Sequence, residues 1–217
     1  MAFSDDVDIV KYEPALFGEL HLPGQVLAAG TGGVASGTTF SCSGADFVAA
    51  GVSAGGVIYL EPAAGSPAGA YEIVSVDSAT QLTVSVVRAD SQQQAVAPPA
   101  GSDISFRIST YAPQAEQVAL SLAQYFGLSG GDASSEISAE QIIDAEGLRT
   151  ASALGVISVV YAMLASESAD ENFWKKSLHY ARSFEKARQR CRLAIDTSGD
   201  GVAESTRCGA ALRLVRD

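Results

Sequence analysis

The chain has 217 residues, 47% hydrophobic and 18% charged, with 21 glycines, a balance that excludes disorder over most of the length and suits one core with an appended module. Lys and Arg total 14 against 25 Asp and Glu, for a net charge of -11, which repels phosphate backbones and argues against sequence-specific DNA binding. Cys42, Cys191 and Cys208 form no CxxC pair and lie far in sequence from His21 and His179, so a reducing compartment and no structural zinc are expected.

In chain order, residues 1–35 read as an N-terminal arm. The opening carries Asp5, Asp6 and Asp8 where a secretion signal would carry base, and export by that route is not expected. Residues 36–110 read as a β module rich in Gly, Ser, Thr and Val. Candidate strands fall at 38–43, 56–60 and 104–108. A hairpin joins Tyr71, Ile73 and Val76 through Asp77-Ser78-Ala79-Thr80 to Leu82, Val84 and Val86. About five short strands with Gly-rich turns can close into a small barrel, which removes exposed edges. Residues 92–101, with Pro98 and Pro99, read as a polar surface loop.

From residue 111 the pattern turns helical. Pro113 suits the first helical position, and Ala115, Val118, Ala119, Leu122, Tyr125 and Phe126 mark one apolar face before Gly127. After a linker at 129–135, Ser138 and Gln141 form a capping box for a second helix reaching Ala165, whose final half should be the most buried part. The uncharged run at 150–166 contains Ser152, Gly155 and Ser158 and reads as a core helix, not a membrane span. Asp170 or its neighbours open a third helix. Phe173, Tyr180, Phe184, Ala187, Cys191 and Ala194 form its core stripe, with Trp174, Leu178, Ala181 and Ile195 beside it. Residues 196–201 break it, and 207–215 read as a closing extended segment. The fold class expected is α+β: a bundle of about three helices over 111–196, an N-terminal small β-barrel module, and a C-terminal loop and arm over 197–217.

Two constellations stand out. Asp196, Ser198, Asp200 and Glu204 occupy positions 1, 3, 5 and 9 of a calcium-loop template with Gly201 at position 6, but Arg207 stands where the bidentate Glu should be. An Asx-type turn is the favoured reading; if a cation binds, those four residues would be its ligands. The second is Lys175, Lys176, Arg182, Lys186, Arg188, Arg190 and Arg192, with one acid, Glu185, among them. Such a face is either a solvated helix surface suited to the helix dipole or a docking face for an acidic neighbour, another copy or a partner protein; DNA contact is a third option. His21 and His179 lack a nucleophile-elbow context and read as surface imidazoles. The Gly-rich stretches lack a phosphate-loop context. Met163, Trp174 and the three cysteines read as core. No enzyme and no cofactor are expected.

Taken in order, several stretches resemble the head-to-tail connector (adaptor, or head-completion) proteins of tailed bacteriophages. They are Asp8-Ile9-Val10 to Tyr12-Glu13-Pro14, Ala45-Asp46-Phe47 through Gly51-Val52 to Gly55-Gly56-Val57-Ile58, and the hairpin from Tyr71 to Ser85. Further on come Tyr111-Ala112-Pro113-Gln114, Ile195-Asp196 to Gly199-Asp200-Gly201 with Arg207, and Leu212-Arg213-Leu214-Val215-Arg216. The resemblance implies a virion protein of the neck, assembled in the host cytoplasm as a ring of about twelve subunits. Its partners would be the portal protein and a tail or stopper protein, with DNA passing through unread and no membrane involved. Both chain ends would reach neighbours, Arg213 and Arg216 as anchors on the portal. The alternatives are another virion ring component, a tail-completion or tail-tube protein, or a non-viral ligand- or calcium-binding module.

Overall fold

The computed structural model describes residues 2–62, 68–128, 141–168 and 170–209. They belong to two compact units, Asp5–Tyr111 and the remainder. The class is α+β, with a closed antiparallel barrel of six strands.

The first unit opens with a short helix, α1 (Asp6–Val10), started by a reciprocal capping box between Asp5 and Asp8. The barrel strands are β1 (Val26–Ser36), β2 (Thr39–Ser41), β3 (Val57–Pro62), β4 (Gly69–Ser78), β5 (Gln81–Ser85) and β6 (Gly101–Ser109). They close in the order β1-β2-β5-β4-β3-β6. Closure leaves no free edge, so every strand has two ladders to satisfy its backbone. Inside, Phe40, Phe47 and Phe106 meet edge-on or tilted at centroid distances of 5.3 to 6.3 Å. Ile58, Leu60, Ile73, Leu82, Val84, Ile104 and Ile108 pack around them.

The expected arm at 1–35 is corrected here. Residues 26–36 are the barrel strand β1, paired to both β2 and β6, and Leu16, Phe17 and Leu22 of the preceding stretch are buried. The strand escapes a reading by alternation because its inward positions include Gly30 and Gly33. A Cβ on Gly33 would stand 2.5 Å from the Phe40 ring, and one on Gly30 2.9 Å from Phe106. The phenyl rings fill the space that strand side chains would otherwise take.

Asp6 ties this unit together. Its carboxylate accepts the Tyr111 amide at 2.8 Å, while the Tyr111 hydroxyl donates to the Leu16 carbonyl at 2.7 Å and its ring meets Phe17 edge-on at 5.2 Å. Burial pushes the Asp6 carboxyl up to about 6, against the lowering pull of the bonds from Tyr111 and Thr110. The folded protein therefore holds this proton more tightly than the unfolded chain. The group's contribution is most favourable below pH 4 and is lost as pH rises through about 6, a swing of about 3 kcal/mol. Urea midpoints measured across this window should show that slope in the wild type and a flatter profile in Asp6→Asn.

The second unit holds α2 (Ala112–Phe126), α3 (Glu146–Ser168), α4 (Glu171–Arg190) and a two-stranded sheet of β7 (Arg192–Ile195) and β8 (Ser205–Cys208). Ala115, Val118, Ala119, Leu122 and Phe126 are the buried face of α2, and Gly127 ends the helix at a φ of +63°. Small residues let the helices close on α3: a Cβ on Gly155 would meet Val118 at 2.8 Å and the Phe184 ring at 3.2 Å. Ser158 and Ser177 exchange hydroxyl-to-carbonyl bonds of 3.0 Å between α3 and α4. Tyr161 stacks on Tyr180 with planes 8° apart.

α3 is long and apolar enough by composition to cross a membrane, but 61% of its most apolar window is buried inside the protein. It is most buried through its middle, from Ala151 to Tyr161, while Ser166 and Glu167 are exposed. Gln141 lies outside the helix, because Ile142 bridges Ile195 and the Ile143 amide donates to Ala194. Asp144 supplies the start instead, accepting the Glu146 amide at 3.1 Å. Ser138 lies outside the described residues. Asp170 caps α4 through the Asn172 amide. That helix ends at Arg190, so Cys191, Ala194 and Ile195 leave its stripe; Ala194 and Ile195 belong to β7.

Candidate interaction surface on the fourth helix

α4 carries the run of basic residues, and only Ser177 of its twenty residues is buried. It packs on α3 through Phe173, Ser177, Tyr180 and Phe184. The side of α4 turned away from that stripe faces outward. The seven basic side chains divide by what they touch. Lys176 donates to the Tyr161 hydroxyl at 2.9 Å and sits 4.7 Å from that ring's centre. Arg188 lies over Tyr125 at 4.1 Å and Phe184 at 5.3 Å. Both are packed on aromatic faces, where a cation gains from the ring quadrupole. Lys175 pairs with Glu171 at 3.2 Å, both ends well exposed, which contributes little.

Arg182, Lys186, Arg190 and Arg192 are exposed, and among the described residues none has a carboxylate partner. Arg213 and Arg216 lie outside the described residues. Trp174, expected in the core, is 52% exposed, and Leu178 is 40% exposed. Trp174 walls a shallow cleft with Ala162, Ala165 and Ser166 at the turn from α3 to α4. The correction follows from helix geometry: at 3.6 residues per turn, Trp174 and Leu178 point more than a quarter-turn away from the Phe173, Tyr180 and Phe184 stripe.

Sequence reading missed the ridge that results. Trp174, Leu178, Arg182, Lys186 and Arg190 succeed one another at a spacing of four, so they form one row on the helix surface, two apolar members followed by three basic ones. The signal was present in the four-residue register. Residue type masks it, because Trp and Leu are expected to face inward.

The Asp196 loop is held by its own donors. Asp196 accepts the Gly199 and Gly201 amides at 2.6 and 2.7 Å, and Ser198 joins at 3.2 Å. Glu204 accepts from the Ser198 hydroxyl at 2.5 Å and from the Thr197 amide and hydroxyl at 2.6 and 2.9 Å. These bonds hold both carboxyls below their usual range, led by the Gly201 amide for Asp196 and the Ser198 hydroxyl for Glu204. Carboxylate oxygens of Asp196, Asp200 and Glu204 come within 4.8 Å of one another, the spacing of a turn stitched by Asx and hydroxyl bonds. Arg207, the template's twelfth position, donates to the Phe126 carbonyl at 2.7 Å and closes the end of α2. Millimolar calcium should leave the melting temperature unchanged; a clear rise would assign the loop to a cation.

The His21 Nδ1 meets the Gly18 carbonyl, and His179 stands edge-on to Tyr180. Among the described residues, neither imidazole hydrogen-bonds a serine or cysteine side chain. Cys42 and Cys191 are buried, but Cys208 is exposed, against the expectation that all three are core. The chain matches no known family, no curated protein and no solved structure.

Proposed function

We propose that this chain is a ring-forming structural subunit of a tailed-phage neck, a head-to-tail connector stacked below the portal and extending the DNA channel toward a tail or stopper protein. The observation that carries the reading is the exposed, carboxylate-free basic ridge on α4 in a chain of net charge -11. A heterologous ring needs two different, complementary faces on each subunit. The barrel unit supplies the opposite sign, with 3 basic and 11 acidic residues over 5–111. In this reading α2, α3 and α4 act as one bundle that carries the barrel as a module, and a ring holds about twelve copies. The prevailing negative charge suits a channel wall that DNA slides past without sticking.

Light scattering coupled to size exclusion tests this, with the protein alone and mixed with portal-containing heads. A ring, or co-elution with the heads, is the expected result. A monomer that ignores the heads overturns the neck assignment and directs attention to ligand screens of the barrel. A ring that joins tails but not heads favours a tail-completion or tail-tube role.

A further inference from the structure

We propose that the α4 ridge of one copy docks on the outer face of a second copy's barrel, at the end of the β1-β6-β3 ladder; this rests on the ring reading and names its contact. The ridge presents Trp174 and Leu178 beside Arg182, Lys186 and Arg190, all exposed. An apolar pair flanked by cations needs a surface with the same two components and the opposite sign.

The barrel has such a surface. Along β6, Ile104 and Phe106 point inward and Ser105 between them outward, while Asp103 stands exposed in a bulge at a φ of +55°. On β3, Leu60 points inward and Glu61 outward, and Glu61 stands opposite Ser105. Glu61 and Asp103 are thus diagonal neighbours on adjacent strands, both exposed. Like charges in that relation repel, and among the described residues neither carboxylate has a hydrogen-bond donor or a cation beside it. On the other side of β6, Gly33 and Ala35 of β1 are buried and Val34 between them is 43% exposed. The pairs Gly33 with Ile104 and Ala35 with Gly101 set Val34 opposite the bulged residues Ser102 and Asp103. One apolar side chain and two unneutralised carboxylates therefore occupy neighbouring positions on three adjacent strands. A second copy's ridge matches this patch in kind: Trp174 and Leu178 cover the valine, and the cations that follow them neutralise the acids.

Neither partner surface can close on itself by charge, because the ridge repels another ridge and the carboxylates repel other carboxylates. The contact therefore joins two unlike faces, and repeated head to tail it propagates into the ring that the proposed function calls for. Trp174 is the only tryptophan, so its fluorescence reports directly on whether the ridge is covered.

The experiment is a charge swap in the full-length chain. The wild type should gain mass with concentration in light scattering while its Trp174 emission moves to shorter wavelength, both effects weakening as salt is raised. K186E/R190E and E61K/D103K should each weaken association by about tenfold or more, with circular dichroism showing both folded. Mixed in equal amounts they should associate again, since each then offers the face the other lost. A wild type that stays monomeric at every accessible concentration overturns the proposal, as does a mixture that fails to recover. A labelled DNA duplex bound through the ridge, with self-association untouched by either reversal, also overturns it in favour of a polyanion site. Mixing with portal-containing heads is measured in parallel. Recovery in the swap without binding to heads removes the neck reading and keeps the contact, and binding to heads with a failed swap does the reverse.

Discussion

Arg88→Ala is expected to destabilise the barrel unit by about 3 kcal/mol, because it leaves a carboxylate buried without its cation. Glu72 and Arg88 pair at 2.5 Å, with side chains only 5% and 9% exposed. The arginine meets the carboxylate with Nε and a terminal nitrogen, and its own backbone amide donates to the same group at 3.1 Å. The remaining terminal nitrogen reaches the Ser91 carbonyl at 2.8 Å and the Gln93 carbonyl at 2.6 Å. One guanidinium thus fastens the long β5-β6 connection over β4. The bond to Glu72 also raises the arginine's affinity for its proton. Lysine keeps the charge but loses the fork, so Arg88→Lys should recover only part of the loss. The paired change Arg88→Met with Glu72→Leu should cost less than Arg88→Ala, since it leaves no orphaned charge. Urea midpoints of the four proteins test this. An Arg88→Ala loss within about 0.5 kcal/mol would mean that water reaches Glu72 and that the pair is not what holds the connection.

Gly33→Val is expected to cost a comparable amount, about 3 kcal/mol, through overpacking. The glycine faces the barrel interior, where an added Cβ would stand 2.5 and 2.7 Å from two atoms of the Phe40 ring and 3.1 Å from the Ile104 carbonyl. Phe40 has nowhere to retreat: it is fully buried and held between Phe47 and Phe106. Shortening the ring side chain in the same molecule, Gly33→Val with Phe40→Leu, should return part of the stability, a coupling that separates steric conflict from any intrinsic strand preference. Thr31→Val, on an exposed position of the same strand, should change stability by no more than about 0.5 kcal/mol. Equal losses at both positions, by thermal melts followed in the far ultraviolet, would show that the strand tolerates no valine at all and that the ring is not the cause.

These two sites also mark where reading the chain by pattern succeeds and fails. The hairpin of β4 and β5 was legible because Ile73 on one strand and Leu82 and Val84 on the other are inward residues of the strand-forming type at a period of two, joined by a short polar turn. β1 was not, since its inward positions carry glycine and its partner strands supply the volume. A pattern of apolar residues reports what a strand contributes to the core. It is silent on a strand whose role is to leave room.

The candidate surface divides in the same way. A cluster of cations between Lys175 and Arg192 is a property of the chain alone, and so are the ligand-like spacing of Asp196, Ser198, Asp200 and Glu204, the helical period after residue 111 and the acidic charge of the first half. Which cations face solvent is another matter. Lys176 and Arg188 are taken by Tyr161 and Tyr125, aromatic residues on α3 and α2 that lie 15 and 63 positions away in the chain. Arg207 is drawn to the end of α2, and Trp174 is half exposed because it lies more than a quarter-turn round α4 from the stripe that meets α3. Local periodicity and composition come from each segment's own side chains, so they were readable in order along the chain. Partner choice depends on which surfaces tertiary packing brings within reach, and on a glycine or a ring far away in sequence that decides how closely two elements approach.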